Sequence, residues 1–253
     1  MSGRSPGIEP AEARDAIARE ARRFGLHVPG PALETLALHL HLLYAWNRRV
    51  NLTGIRDPAD GVHRHVLESL EALDWLDECL AARPNPGPAS SLLADLGSGN
   101  GYPALPLLAA RPALRGQLHE RVARKADFLR AVLRKTGLGS RVEVIERSFA
   151  GDFIDTPAIV TLRAFPDPGG TIQRLVSAVP QRESRSARRP CVLAWLSRED
   201  AGRIAAALSQ RPDLSVRTRP LRTHSPGHLL LVRPREAGTP PAAQGIPPER
   251  PGP

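Results

Sequence analysis

The sequence predicts a doubly wound α/β fold, a largely parallel β-sheet with helices on both faces, preceded by a helical region. Three observations predict it. From Ser91 onward, short apolar runs alternate with helical stretches, the mark of repeated β-α-β units. The first of these runs, SLLADL (91–96), leads into a loop with glycine at 97, 99 and 101 and then into apolar LPLLAA. Upstream, the periodicity is helical, and RPNPGPAS (83–90) separates the two parts. The chain therefore divides into a helical region at 1–82, a sheet domain at 91–235 and a Pro- and Gly-rich tail at 236–253 whose composition does not favour folding.

The elements follow in order. Ala13, Ile17, Ala21 and Phe24 recur at helical spacing until Gly25 stops them. A second helix runs from about Pro31 to Asn47, with Leu33, Leu36, Leu40 and Leu43 on its stripe. A third starts near Pro58, capped by Asp57, with Val62, Val66, Leu70, Leu73 and Leu80 as its stripe. Asn51 and Thr53 are expected to set the turn between the second and third. Strands are expected at 91–96, 117–120, 142–146, 158–162 and 191–196, with a clear helix from Ala123 to Thr136 ended by Gly137. A helix from Arg198 to Gln210 precedes a closing strand pair, LSVRTR and HLLLVR.

The 253 residues are enough to bury a sizeable core. A net charge of +9 favours polyanionic partners, nucleic acid above all. The excess is almost all arginine, with Lys125 and Lys135 the only lysines, so base composition of the genome accounts for part of it. No apolar run is long enough to span a bilayer, and acids stand where a signal peptide would be apolar. A soluble, cytoplasmic protein is expected. Cys79 and Cys191 lack CxxC spacing and are read as small buried hydrophobes.

A strand, a Gly-rich turn and a helix form the unit with which α/β sheets bind nucleotide-like ligands. The dinucleotide fingerprint G-x-G-x-x-G fails here, because its third glycine position is Tyr102. The pattern is instead Asp95-x-Gly97-x-Gly99-x-Gly101. It resembles motif I of class I S-adenosylmethionine (SAM) methyltransferases. An acid just before the loop suits a ligand bearing an ammonium and a sulfonium rather than a pyrophosphate. The second strand ends at Glu120, nineteen residues past Gly101, where an acid accepts the hydroxyls of a ribose.

A second segment narrows the choice. WNRRVNLTGIRDPADGVHRHVLESL (46–70) contains Trp46, Asn47, Asn51, Leu52, Thr53, Arg56, Asp57, Arg64, His65, Glu68, Ser69 and Leu70 in the order of a family signature. It resembles the RsmG (GidB) family, bacterial enzymes that methylate N7 of a guanine in small-subunit ribosomal RNA. Gly97, Ser98, Gly99, Gly101 and Pro103 match that family's loop, FLR (128–130) its helix after strand two, and RAF (163–165) its segment after strand four. The resemblance extends over roughly Phe24 to Arg233.

The resemblance implies a class I methyltransferase fold with a seven-stranded sheet and SAM as cofactor. Asp95, Gly97, Gly99, Gly101, Tyr102, Glu120, Phe149 and Ala150 would form the cofactor pocket, and Arg163 would lie by the methyl-transfer site. Arg56, Arg64, His65, Arg124 and Lys125 are candidates for RNA contact. Against each stands a structural alternative: an ion pair for Arg163, core packing for Phe149, a bracket holding the helical region for Arg56, Asp57, Arg64 and His65, and a solvated face for Arg124, Lys125, Arg130 and Arg134. The implied partner is small-subunit rRNA or the 30S particle, bound by a monomer, without membrane or metal. Guanine N7 carries a lone pair, so no general base is sought. His39 and His41, like His63 and His65, are two residues apart and do not share a helix face.

The chain departs from the family in three places. ERVARK follows strand two, Tyr102-Pro103-Ala104 stands for L-P-G, and WLS (195–197) lacks a lysine. QRESRSARRP (181–190) reads as a basic insertion. These departures keep two other readings open: a SAM- or RNA-binding ribosome-assembly factor without activity, and a class I methyltransferase with another substrate.

Overall fold

The computed structural model describes residues 7–83, 91–149, 153, 157–177, 189–223 and 226–235. The expected linker beyond Arg83, most of the basic insertion and the tail lie outside the described residues.

The helical region holds α1 (Pro10–Arg23), α2 (Gly30–Asn47), α3 (Pro58–Gly61), α4 (Glu68–Leu70) and α5 (Leu73–Ala81). Asp57 caps α3 as expected, its side chain accepting from the Ala59 N–H at 2.9 Å. The single third helix that the spacing predicts is broken. A π-helical turn covers Val62–Leu67, in which the Glu68 N–H reaches back five residues to the His63 carbonyl. Tertiary contacts hold this irregular turn: Trp195 Nε1 donates to the Glu68 carbonyl at 2.8 Å, and Arg163 Nη2 to the Arg64 carbonyl at 2.7 Å. The turn before α3 is set by Asn47, not Asn51. Asn47 Oδ1 accepts from the Leu52 and Thr53 N–H groups, and Thr53 Oγ1 accepts from the Ile55 N–H.

The sheet strands are β1 (Leu92–Leu96), β2 (Arg115–His119), β3 (Val142–Ile145), β4 (Ile159–Arg163), β5 (Cys191–Ser197), β6 (Leu214–Pro220) and β7 (Gly227–Pro234). Between them lie α6 (Ala104–Ala110), α7 (Ala123–Thr136), α8 (Pro168–Ser177) and α9 (Arg198–Ser209). The order is β3-β2-β1-β4-β5-β7-β6, and β7 runs antiparallel to both neighbours. The order reverses between β1 and β4, the place where such sheets bind ligands beyond their carboxyl ends. Strand β1 is buried along its whole length, as a central parallel strand must be. Gly137 ends α7 in the left-handed conformation, φ +75°.

One apolar cluster runs continuously from Ile17, Leu36 and Leu40 through Leu76 into Leu107, Leu118 and Leu231. The helical region thus shares its core with one face of the sheet; Val160, Ile172 and Val192 belong to a second cluster. Polar clamps reinforce the join. The buried Glu71 carboxylate accepts from the Arg222 N–H, the Thr223 N–H and Thr223 Oγ1. Arg219 grips Asp74 with two hydrogen bonds of 2.6 Å and lies 4.3 Å over the Trp75 ring. Cys79 and Cys191, distant in sequence, are both buried and free. Among the described residues no helix is long and apolar enough to cross a membrane.

Candidate functional site

The glycine loop follows β1 and leaves the sheet beside the switch point. Asp95 near the end of β1 is 1% exposed. Its Oδ1 accepts from Thr161 Oγ1 on β4 at 2.6 Å, while its Oδ2 has no partner. Burial, helped by the nearby Glu120 charge, pushes its carboxyl up to about 6. A buried carboxylate oxygen without a donor fits a ligand that brings a cation.

Glu120 follows β2 directly and is also buried. Its Oε2 accepts from the Gly99 N–H at 2.9 Å and its Oε1 from the Val122 N–H at 2.7 Å. The carboxylate thereby fixes the loop from the neighbouring strand and keeps lone pairs for hydroxyl donors. The Gly97 and Ser98 N–H groups donate to the His119 carbonyl, so the loop is stitched to β2 along its length.

All three loop glycines have positive φ. What approaches each differs. A Cβ on Gly101 would strike Leu105 Cδ1 at 2.5 Å and the His39 ring at 3.1 Å, so this glycine lets the helical region close on the loop. A Cβ on Gly97 would meet the Phe165 ring at 3.1 Å. A Cβ on Gly99 would meet only the Gly97 carbonyl oxygen, at an ordinary contact distance of 3.7 Å.

Tyr102 sits differently from the expectation of a pocket-lining side chain. Its ring is 4% exposed and stacked between His39 (4.3 Å) and His65 (4.8 Å). His39 Nε2 bonds the Asn100 carbonyl at 2.8 Å, and His65 Nε2 bonds Thr53 Oγ1 at 2.9 Å. Burial drives His39 down to about 4, and burial with the adjacent Arg163 charge drives His65 down to about 3. Two neutral imidazoles therefore clamp a phenol, and what Tyr102 offers a ligand is its backbone. His65 is 6% exposed, inside this stack, which removes its ring from any RNA-facing surface.

Arg163 ends β4. Its Nη2 donates to Glu68 Oε2 and to the Arg64 carbonyl, both at 2.7 Å, while Nη1 is buried without a partner. The ion pair is present: one amino group is tied to the helical region and the other has no hydrogen-bond partner. Ala164, the next residue, has φ +50°, and Asp167 has φ +48°. Backbone strain of this kind collects at functional sites. FPDP (165–168), a faint echo of an amino-methylation motif, has a local task, since Asp167 Oδ1 accepts from the Gly170 N–H at the start of α8.

Arg56, Arg64 and Arg124 are exposed, as are Arg48, Arg49 and Arg121, which the sequence reading passed over. None of these six makes a salt bridge among the described residues, whereas Arg217, Arg219 and Arg233 on the strands far from the loop are all paired with acids of α5. Lys125 is half-buried, and Arg130 is engaged by Asp127 and Glu146. The chain segments bearing the free cations converge on the loop: Asn100 Nδ2 donates to the Leu52 carbonyl at 3.2 Å, and the Trp46 ring meets Phe128 of α7 edge-on at 5.7 Å. Phe149 is half-buried beside β2, and Ala150 lies outside the described residues. Among the described residues no group of three or more His, Cys, Asp or Glu could hold a metal.

Sequence comparison decides the lineage. The profile of the family described as rRNA small subunit methyltransferase G (GidB) matches residues 32–175. The chain belongs to this family. Curated relatives named ribosomal RNA small subunit methyltransferase G include that of Anaeromyxobacter sp. (strain Fw109-5), 37% identical over 64% of this chain and 70% of the relative. That of Sorangium cellulosum (strain So ce56) is 35% identical over 69% and 68%. The match to the Xanthomonas euvesicatoria pv. vesicatoria (strain 85-10) relative is 37% identical and spans 55% of this chain and 63% of that relative, just under two thirds of its length. Solved structures at low identity share the fold. The SAH-bound Podospora anserina methyltransferase PaMTH1 superposes with a TM-score of 0.52 at 15% identity, covering 93% of this chain and all of that one. A human methyltransferase 10 domain containing protein gives 0.52 at 12% identity, over 79% and 97%.

With the family in view, the residues that sequence reading missed become clear. Glu68 stood in the GidB signature without a role, and the structure places its carboxylate on Arg163. Trp195, the first residue of one departure from the family, holds the Glu68 backbone. Neither contact has a local sequence signal, because each joins residues about a hundred or more positions apart.

Proposed function

We propose that this chain transfers a methyl group from SAM to N7 of a guanine in small-subunit ribosomal RNA, acting as a monomer in the cytoplasm. The observation that carries the reading is the pairing of a GidB-family loop with a switch-point site whose polar atoms fit SAM: the unpartnered Asp95 Oδ2 and the Glu120 carboxylate beside the glycine loop.

Asp95 would receive the ammonium of the methionine end, Glu120 the ribose hydroxyls, and the loop backbone at Gly97 to Tyr102 would lie along the cofactor. SAM supplies an electrophilic methyl on a sulfonium. Guanine N7 needs no deprotonation, so the residues present have only to position two partners and exclude disorder between them. Arg163 Nη1, which has no hydrogen-bond partner, would donate to a guanine edge or a phosphate oxygen. Its clamp by Glu68 keeps the guanidinium in one orientation, so less rotamer freedom is lost on binding.

Arg48, Arg49, Arg56, Arg64, Arg121 and Arg124 would hold the RNA backbone. Phosphate contacts release counterions, so each contact neutralised should lower the salt slope of binding. Replacing Arg56 and Arg64 together with alanine is expected to weaken rRNA binding at low salt and to reduce the slope of log K against log[salt] by about one to two. An unchanged slope in a filter-binding titration would move the RNA face elsewhere.

The activity test uses 30S particles and rRNA from cells lacking the gene, purified protein and methyl-labelled SAM. Label in 7-methylguanosine after digestion supports the reading. SAM binding without label would instead favour an assembly factor that has kept its pocket but lost its activity.

A further inference from the structure

His119 closes β2, one residue before Glu120, and is 3% exposed. Its backbone carbonyl is occupied by the Gly97 and Ser98 N–H groups, but neither ring nitrogen has a hydrogen-bond partner. A neutral imidazole carries one donor and one acceptor, and burying both unmade costs stability that an apolar side chain of similar size would not. Burial, with Arg147 nearby, holds the ring at about 4, so it is neutral near pH 7. The ring stands edge-on to Phe149 (5.9 Å, 82°) and Phe153 (6.0 Å, 81°), which lie 4.7 Å from each other and are both half-buried.

The topology says what this cluster faces. If Glu120 takes the ribose hydroxyls, the glycine loop carries the amino-acid end of the cofactor. The base then projects the other way, past the end of β2 toward the end of β3. There His119, Phe149 and Phe153 are found together, two half-buried rings and an imidazole with two unused nitrogens. We infer that His119 is a cofactor-recognition residue, one of its ring nitrogens hydrogen-bonding the adenine of SAM beside Phe149 and Phe153. The assignment rests on the SAM reading above.

The test is calorimetric. S-adenosylhomocysteine and 5′-methylthioadenosine, which keeps the adenosine and lacks the amino acid, are titrated into the full chain, His119→Leu and His119→Gln. His119→Leu is expected to weaken both ligands by about tenfold, the loss of one hydrogen bond. His119→Gln, which keeps a donor and an acceptor, should remain within about threefold of the native chain. The ligand-free His119→Leu protein should unfold at no lower urea concentration than the native chain, because it sheds an unsatisfied polar group. Unchanged affinity for both ligands, or a loss confined to S-adenosylhomocysteine, overturns the assignment. Should His119→Leu not fold, the imidazole ¹⁵N signals of native His119 decide: they shift on adding methylthioadenosine, or the assignment fails. A native chain that binds neither ligand overturns the SAM reading itself, and this assignment with it, whereas native binding with an indifferent variant overturns only this assignment.

Discussion

Arg163→Ala should lower kcat/KM for methyl transfer by about a hundredfold or more and also destabilise the fold by about 3–5 kcal/mol. The two losses have different origins. Arg163 Nη1 is buried without a hydrogen-bond partner, and on the proposed function its removal would take away a donor for the substrate. Arg163 Nη2 pairs with the Glu68 carboxylate at 2.7 Å, whose side chain is 3% exposed, and its removal takes that ion pair from a buried charge. The double variant Arg163→Ala/Glu68→Gln separates them. Its neutral amide needs no counter-charge, so the urea midpoint should recover much of the loss while kcat/KM stays low. Recovery of activity together with stability would make Arg163 a bracket for the helical region and no more.

Acid should unfold the protein well before its carboxylates are exhausted. His39, His65 and His119 are all buried, with imidazoles held at about 4, 3 and 4. In the unfolded chain each titrates near 6.5. A base kept neutral by folding is protonated first in the unfolded state, so its stabilising contribution is present above the unfolded value and is lost as pH falls below it. Three such groups would release the unfolded state by up to three protons. Asp95 acts in the opposite sense, since its carboxyl at about 6 binds a proton in the native state before it does so unfolded. Between pH 6 and pH 4 the net is about two protons, a slope near 3 kcal/mol per pH unit. That is enough to consume much of an ordinary domain's stability by pH 5. Urea midpoints measured at intervals from pH 7.5 to 4.5 should fall steeply below 6.5. Each of His39→Gln, His65→Gln and His119→Leu should flatten the fall by about one proton. A profile flat to pH 5 would mean that these rings reach water in the native state.

The acid sensitivity follows from how the site is assembled. The polar stack of His39, Tyr102 and His65 lies where the helical region meets the glycine loop, with Asn100 and Thr53 taking one nitrogen from each ring. Each partner comes from a different stretch of chain, and none of these pairings has a period or spacing that a linear reading can detect. The same holds for Arg163 with Glu68, and for the π-helical turn at Val62–Leu67, which the apolar stripe concealed because the stripe survives a one-residue slip. Even the glycine loop was legible only in part. That its glycines allow close approach was readable; that Phe165 approaches Gly97 and His39 approaches Gly101 was not.

By itself the sequence determined the alternation of strands and helices, the Gly137 stop of α7, the Asp57 cap, the loop pattern from Asp95 to Gly101 and the acid after β2. These are local properties: side-chain period, backbone freedom and capping act over a few residues, and each leaves its mark in the order of the chain. The tertiary structure alone decided what approaches each loop glycine, which histidines are neutral, which arginines are paired and which are free. Those outcomes depend on burial and on charges brought together from distant parts of the chain, and desolvation has no meaning until the chain has folded around the group.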